Sequence, residues 1–280
     1  MRIFLNEHEL DVSEDATLQS IRREHKPDAD IAIVNGFPCQ PDYRLQPQDS
    51  IVLIRRGEQP THQELSALMM ARHTPGVHAR ISRATVGIAG AGGLGSAIAG
   101  ALARLGVGRL IIADYDVIEP SNLNRQQYFV DQIGMPKVEA LQQNLLRINP
   151  TVEVSAIHRR ITADTVAHYF ATVDVMTEAF DAAAEKAMLV SSFLQQFTTT
   201  PLVAASGVAG YGPANSIRTT RVTEHLYLVG DGCSAAQPGQ GLMSPLVGIA
   251  AHHQANAVLR LLLGENPAPP MSDDSCDENE

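Results

Sequence analysis

The chain has 280 residues, 44% of them hydrophobic, enough for one large domain or two unequal ones with a sizeable core. No apolar run approaches the roughly 20 residues that cross a bilayer, and the opening "MRIFLNEHEL" lacks the basic start and apolar stretch of a secretion signal, so a cytoplasmic protein without membrane partners is expected. The formal charge of −10 comes with no basic run, which argues against nucleic-acid binding, and the three scattered cysteines (Cys39, Cys233, Cys276) form neither a disulfide framework nor a CxxC zinc site.

Residues 1–57 read as a small β-rich unit. "RIFLNEHELDV" divides into two short strands around Asn6-Glu7, and "ATLQSIRREH" fits one amphipathic helix with Leu18, Ile21 and Arg22 at helical spacing. "DIAIVNGFPC" places Asn-Gly between apolar residues, a strong hairpin signal, and "DSIVLIRRG" is a last alternating strand. Strand, strand, helix, strand, strand is the order of an α+β, ubiquitin-like β-grasp domain. A helical connector is expected over 58–80, with Thr61 and Glu64 as a capping box and "TPGVH" as its end.

The main domain is expected over 81–265. "ATVGIAG" suits a buried parallel strand, and Gly90, Gly92, Gly93 and Gly95 in "GAGGLG" allow a tight turn, close backbone approach to phosphate and helix-on-strand packing. "SAIAGALARLG" is the helix, whose amino end favours an anion, and "RLIIADYD" is the next strand, with Asp114 placed to accept bonds from ribose hydroxyls. An α/β, Rossmann-like doubly wound and mostly parallel sheet follows. So far an NAD-dependent oxidoreductase fits equally well. The next stretch, "SNLNRQQYFVDQIGMPK", adds Asn122, Arg125, Gln126 and Lys137 at the cleft mouth. Cations and amides in that number suit a triphosphate, although the same residues also suit a solvated surface. "DVMTEAFDAAAEKAML" runs from strand to helix with Asp181 at the strand's carboxyl end, a ligand position in α/β sheets and equally a helix cap. Cys233 sits in a glycine-rich stretch with no flanking cation to lower its pKa. "SPLVGIAAHHQANAVLRLLLG" closes the domain as a helix, and 266–280 reads as a disordered acidic tail.

Two resemblances rest on these residues. "RIFLNEHELDV", "AIVNG" and "LQPQDSIVLIRRG" resemble the ThiS-type ubiquitin-like sulfur carriers, with one departure. Such carriers end in a flexible Gly-Gly whose carboxylate is activated, whereas Gly57 here runs on into "EQPTHQEL". The front domain is therefore expected to be a retired carrier that packs against the enzyme or helps dock a partner, or a domain that only stabilises the fold. "GAGGLGS", "DYD", "SNLNRQ" and "GMPK", in that order over about residues 64–263, resemble the ThiF/MoeB/HesA family, relatives of the ubiquitin-activating enzymes.

The second resemblance implies an ATP-dependent adenylyltransferase. Its substrate would be the C-terminal glycine carboxylate of a ThiS-type carrier, its products an acyl-adenylate and pyrophosphate, and its pathway thiamine thiazole synthesis. It implies Gly92 and Gly93 against the phosphates, Asp114 on the ribose, Asn122, Arg125 and Lys137 on the phosphate chain, and Mg2+ on Asp181, with Glu178 replacing an aspartate common just before it. Arg72 matches, loosely, a family arginine that reaches the γ-phosphate across a homodimer. No zinc is expected, because the family's CxxC pairs are missing, and Cys233 stands in the stretch where some members keep a sulfur-transfer cysteine. A non-catalytic carrier-docking protein is the remaining alternative.

Overall fold

Two left-handed turns shape the front of the chain. Strands β1 (Arg2–Leu5) and β2 (His8–Asp11) are joined by Asn6-Glu7 at φ 46° and 69°. Positive φ at both central residues matches the twist of an antiparallel pair. Asn35-Gly36, at φ 52° and 86°, does the same between β3 (Ile31–Val34) and β4 (Phe37–Pro38). Between the hairpins, helix α1 (Leu18–His25) starts at Thr17, whose Oγ1 accepts from the Ser20 N–H while Ser20 Oγ accepts from the Thr17 N–H. This reciprocal cap turns Leu18 and Ile21 inward. Strand β5 (Ser50–Ile54) lies parallel to β1 and antiparallel to β3, giving the order β2-β1-β5-β3-β4 of a β-grasp. Ile3, Leu18, Ile21, Ile51 and Leu53 form its core. Past β5 the chain is tied back: the Arg56 N–H donates to Asp30 (2.8 Å), and Lys26 pairs with Glu58 (2.6 Å).

The computed structural model describes residues 1–58, 61, 65 and 76–268, in two units, Met1–Thr74 and Pro75–Glu280. Glu64, Arg72, Cys276 and most of the expected connector and acidic tail lie outside the described residues.

The second unit begins with a short helix, α2 (Val77–Ile81), and alternates strand with helix: β6 (Thr85–Ala89), α3 (Gly93–Leu105), β7 (Arg109–Asp114), α4 (Lys137–Ile148), β8 (Glu153–His158), α5 (Val166–Phe170), β9 (Val175–Glu178), α6 (Ala183–Gln196) and β10 (Leu202–Ala205). Strands β11 (Arg218–Arg221) and β12 (Leu226–Gly230) and helix α7 (Ser244–Leu262) complete it. The sheet order is β11-β12-β10-β9-β6-β7-β8, parallel apart from β11 at the edge. Because strand side chains alternate, Val86, Ile88, Leu110 and Ile112 pack in one core with Ile98, Leu141 and Val258 of α3, α4 and α7. Ala89, Ile111, Ala113 and Met176 pack in a second with Phe170, Leu189 and Phe193 of α5 and α6. Helices on both faces make this a Rossmann-like doubly wound domain. After β6 the chain steps outward to β7 and β8, then returns to place β9 on the other side of β6. This reversal opens a crevice at the carboxyl ends of the central strands. Among the described residues no helix is long and apolar enough to cross a membrane.

Gly95, in the first turn of α3, lies so close beneath the preceding turn that an added Cβ would stand 1.8 Å from the Gly90 carbonyl oxygen. Gly95→Ala is therefore expected to cost about 3 kcal/mol in denaturant unfolding, the range of an overpacked core. An unchanged unfolding midpoint would contradict the close seating of helix on turn.

Candidate active site

A cavity of about 420 Å³ opens at the crevice, lined from the ends of β6, β7, β9 and β10. Its volume is in the range of small-molecule sites. The glycine turn forms one wall. Gly90 adopts φ +101°, and a Cβ there would meet the Ala179 carbonyl oxygen at 2.5 Å, so the turn is pressed against the exit of β9. At Gly92 the situation is reversed: a Cβ would meet nothing closer than 3.9 Å, leaving open space beside the backbone. Helix α3 starts immediately afterwards, with no side chain capping its first amides. Such a helix end holds unsatisfied N–H donors and a positive dipole.

The turn is held at Ala91, which is completely buried. Its N–H donates to Asp114 Oδ2 (2.6 Å) and its carbonyl accepts from Tyr128 Oη (2.7 Å). Asp114 Oδ1 accepts from the Asp116 N–H (2.8 Å), and the carboxylate lines the cavity with acceptor capacity left. Burial raises its pKa, opposed by these two amides and by Lys137. Burial, then the charges of Asp114 and Asp116, raise the Tyr128 phenol far above its usual value and keep it a donor.

The charged side chains differ in how committed they are. Lys137, the first residue of α4, is buried and its Nζ pairs with Asp116 at 2.7 Å. Arg125 donates only to neutral acceptors among the described residues, Ser121 O (3.3 Å) and Asn124 Oδ1 (2.9 Å), and its Nε has no partner. Gln126, also on the cavity wall, is buried, and its Oε1 has no hydrogen-bond partner among the described residues. Asp181 lines the cavity and forms no hydrogen bond or ion pair with the described residues. Asp181 is exposed to solvent, whereas Arg125 Nε and Gln126 Oε1 are buried without a partner among the described residues, and buried unsatisfied groups on a concave surface mark a ligand site.

Not every expected residue reaches the cavity. Asn122 does not line it: Oδ1 accepts from the Glu119 N–H (3.0 Å) and its carbonyl from the Arg125 and Gln126 N–H groups. Its side chain closes the Glu119–Asn122 turn, while its backbone carbonyl holds the turn that carries Arg125. Gly95 is likewise behind the wall, beneath Gly90. Cys233 is exposed and outside the cavity lining, in a loop whose Cys233 and Ser234 N–H groups both donate to Asp231 Oδ1 (2.8 Å). Glu178 is completely buried and paired with Lys186, which does line the cavity. Burial raises the Glu178 pKa, opposed chiefly by Lys186. Sequence reasoning missed Asp116, Tyr128 and Lys186. Only Asp116 carried a local signal, as the second acid of "DYD".

A family model described as "ThiF family" matches residues 65–274, and one described as "ThiS-like ubiquitin" matches residues 1–57. The chain belongs to the ThiF family and carries a ThiS-like domain in front. It is 34% identical over 191 residues to the sulfur carrier protein ThiS adenylyltransferase of Escherichia coli (strain K12), covering 65% of this chain and 73% of that protein. It is also 34% identical over 131 residues to the tRNA threonylcarbamoyladenosine dehydratase of Bacillus subtilis (strain 168), covering 46% of this chain and 51% of that protein, about half its length. The solved E. coli tRNA N6-threonylcarbamoyladenosine dehydratase, TcdA, in complex with ATP shares the fold, with TM-score 0.63 at 21% identity over 70% of this chain and 92% of that one.

Tyr128→Phe tests the support of the turn. Loss of the hydroxyl leaves the buried Ala91 carbonyl without its partner and is expected to cost about 1–2 kcal/mol of stability. Calorimetric titration should show weaker nucleotide binding as well. Unaltered stability and affinity would remove Tyr128 from the scaffold of the site.

Proposed function

We propose that this protein adenylylates the C-terminal carboxylate of a separate ubiquitin-like sulfur carrier of the ThiS type, using ATP and Mg2+, in thiamine thiazole synthesis. The observation that carries this reading is the pair of uncommitted charges, Arg125 and Asp181, on one cavity over an open glycine turn. A nicotinamide site asks for the ribose acid alone and leaves both charges without work. The family membership and the 34% identity to a ThiS adenylyltransferase support the same reading. The carrier is a separate chain on this view, because Gly57 continues into Glu58 and that segment is tied to Asp30 and Lys26.

The chemistry asks little of acids and bases. A glycine carboxylate is ionised at neutral pH and is already the nucleophile. One of its oxygens bonds to the α-phosphorus, the bond from that phosphorus to the bridging oxygen breaks, and pyrophosphate leaves with the electron pair. No proton moves. The barrier is electrostatic and geometric: an anion must approach a polyanion in line. Glycine-turn amides and Arg125 receive phosphate oxygens, Lys137 adds a charge that Asp116 holds in place, and Asp114 orients the ribose. Magnesium binds through one or two carboxylates plus substrate phosphates and water. Asp181 would hold it, and the ion would offset charge on the reacting phosphate. Arg72 would reach the γ-phosphate from the other copy of a homodimer.

Incubation with ThiS-type carriers, ATP and Mg2+, followed by intact mass measurement, should show one adenylate gained by one carrier. Parallel arms with tRNA and with NADH test the dehydratase-like and oxidoreductase alternatives, and adenylation of neither carrier nor tRNA would leave a docking role. Arg125→Ala and Asp181→Ala should each lower carrier-dependent ATP–pyrophosphate exchange by about 100-fold or more, the usual cost of one electrostatic contact to a transition state. Near-normal exchange in a folded variant would remove that residue from the mechanism.

A further inference from the structure

An ion pair, Glu178 with Lys186, stands at the β9–β10 side of the cavity. Glu178, the last residue of β9, is completely buried. Lys186, in the first turn of α6, places Nζ 3.0 and 2.9 Å from its two carboxylate oxygens and 3.1 Å from the Ala205 carbonyl oxygen. Glu178 also accepts from the Phe180 N–H (2.6 Å), one residue ahead of Asp181. Lys186 lines the cavity and keeps 25% of its side chain exposed, against 0% for Glu178 behind it. The pair is thus a dipole with its positive end toward the cavity. Buried ion pairs add little net stability over an apolar pair of the same shape. A cost of this kind, borne on the wall of a reaction cavity, points to use in the reaction.

The sheet order gives it a place. Along the carboxyl edge, the glycine turn and Asp114 follow β6 and β7, Asp181 follows β9, and Lys186 bridges β9 and β10. The lining there includes the small residues Ala205, Ser206, Gly207 and Ala209, with Ser234 bonded to the Ala209 N–H (3.0 Å). Lys186 therefore reaches toward β10, while the ribose acid follows β7 on the other side of β6.

We propose that Lys186 receives the incoming carboxylate of the protein substrate, and that Glu178 is the positioning residue that holds Lys186 in place. This rests on the adenylylation reading of the site. Of the three bonds from Nζ, the one to the Ala205 carbonyl is the longest and goes to a neutral acceptor. A substrate carboxylate replaces that bond with a charge-assisted one. The lysine then offsets repulsion between nucleophile and triphosphate on the nucleophile's own side, without competing for phosphate oxygens bound by Arg125 and Lys137.

The test compares the wild type, Lys186→Arg and the double variant Glu178→Gln/Lys186→Met. The double variant replaces the pair by neutral side chains of similar shape and leaves no buried charge alone. ATP affinity by calorimetry reports whether the nucleotide site is intact, and carrier-dependent exchange at saturating ATP reports the reaction. The double variant should keep near wild-type ATP affinity and lose carrier-dependent exchange about 100-fold, mostly through the KM for the carrier. Lys186→Arg should recover part of the loss. A double variant that exchanges at the wild-type rate overturns the assignment, and one that loses ATP affinity and exchange together makes the pair a scaffold element and overturns it too. Wild-type protein without exchange on any carrier would bring down the adenylylation reading and this inference with it.

Discussion

The site depends on how the backbone of Ala91 is gripped. Its N–H is held by Asp114 from the next strand and its carbonyl by Tyr128, 37 positions further along the chain. With both groups satisfied in a buried position, the turn between β6 and α3 is fixed from two sides. The open backbone at Gly92 and the uncapped first amides of α3 then face the cavity as donors already in place. Preorganised donors of this kind require no rearrangement when charge arrives, which is what makes them effective. Gly90 and Gly95 serve the same end by allowing backbone to lie against backbone where any side chain would collide.

A second constraint is the balance of charge around the cavity. Asp114, Asp116, Asp181 and Glu185 line it together with Arg125, Lys137 and Lys186. Four of these are neutralised locally: Lys137 and Asp116 by each other, Lys186 by Glu178 and Glu185 by Arg160. What remains without an ionic partner is Arg125 and Asp181, with Asp114 held by amides. A polyphosphate bound to Arg125 and bridged by a cation to Asp181 uses both. A simple anion would use only the first.

Much of the fold was legible in the sequence because local chemistry and global architecture agree. Asn-Gly at 35–36, the helical spacing of Leu18 and Ile21 and the alternation of "SIVLI" each specify a piece of the β-grasp with no knowledge of the rest. The strand, glycine turn, helix and terminal acid around 85–114 are specified the same way, since each residue answers to its immediate neighbours. Among the cavity-lining residues, Asp114, Lys137 and Asp181 were marked by their places at strand ends or a helix start, and Arg125 by the run "SNLNRQ". Order along the chain places Asn122 near a cleft without saying which way its side chain turns, and here it bonds to Glu119 within its own loop and stands off the cavity lining. Tyr128 and Lys186 left no local trace. Their partners lie on other elements, and only the adjacency of β9 with β10, or of the Arg125 loop with the glycine turn, gives them meaning.

The central claim is that Arg125 and Asp181 together receive a magnesium-bound triphosphate over the glycine turn. A crystal structure with a non-hydrolysable ATP analogue and magnesium tests it most directly. The account predicts phosphate oxygens on the Gly92–Gly93 backbone and the Arg125 guanidinium, the ribose on Asp114, and the metal between Asp181 and the phosphates. A bound nucleotide with Arg125 and Asp181 both turned to solvent, or with its phosphates away from the glycine turn, would contradict it.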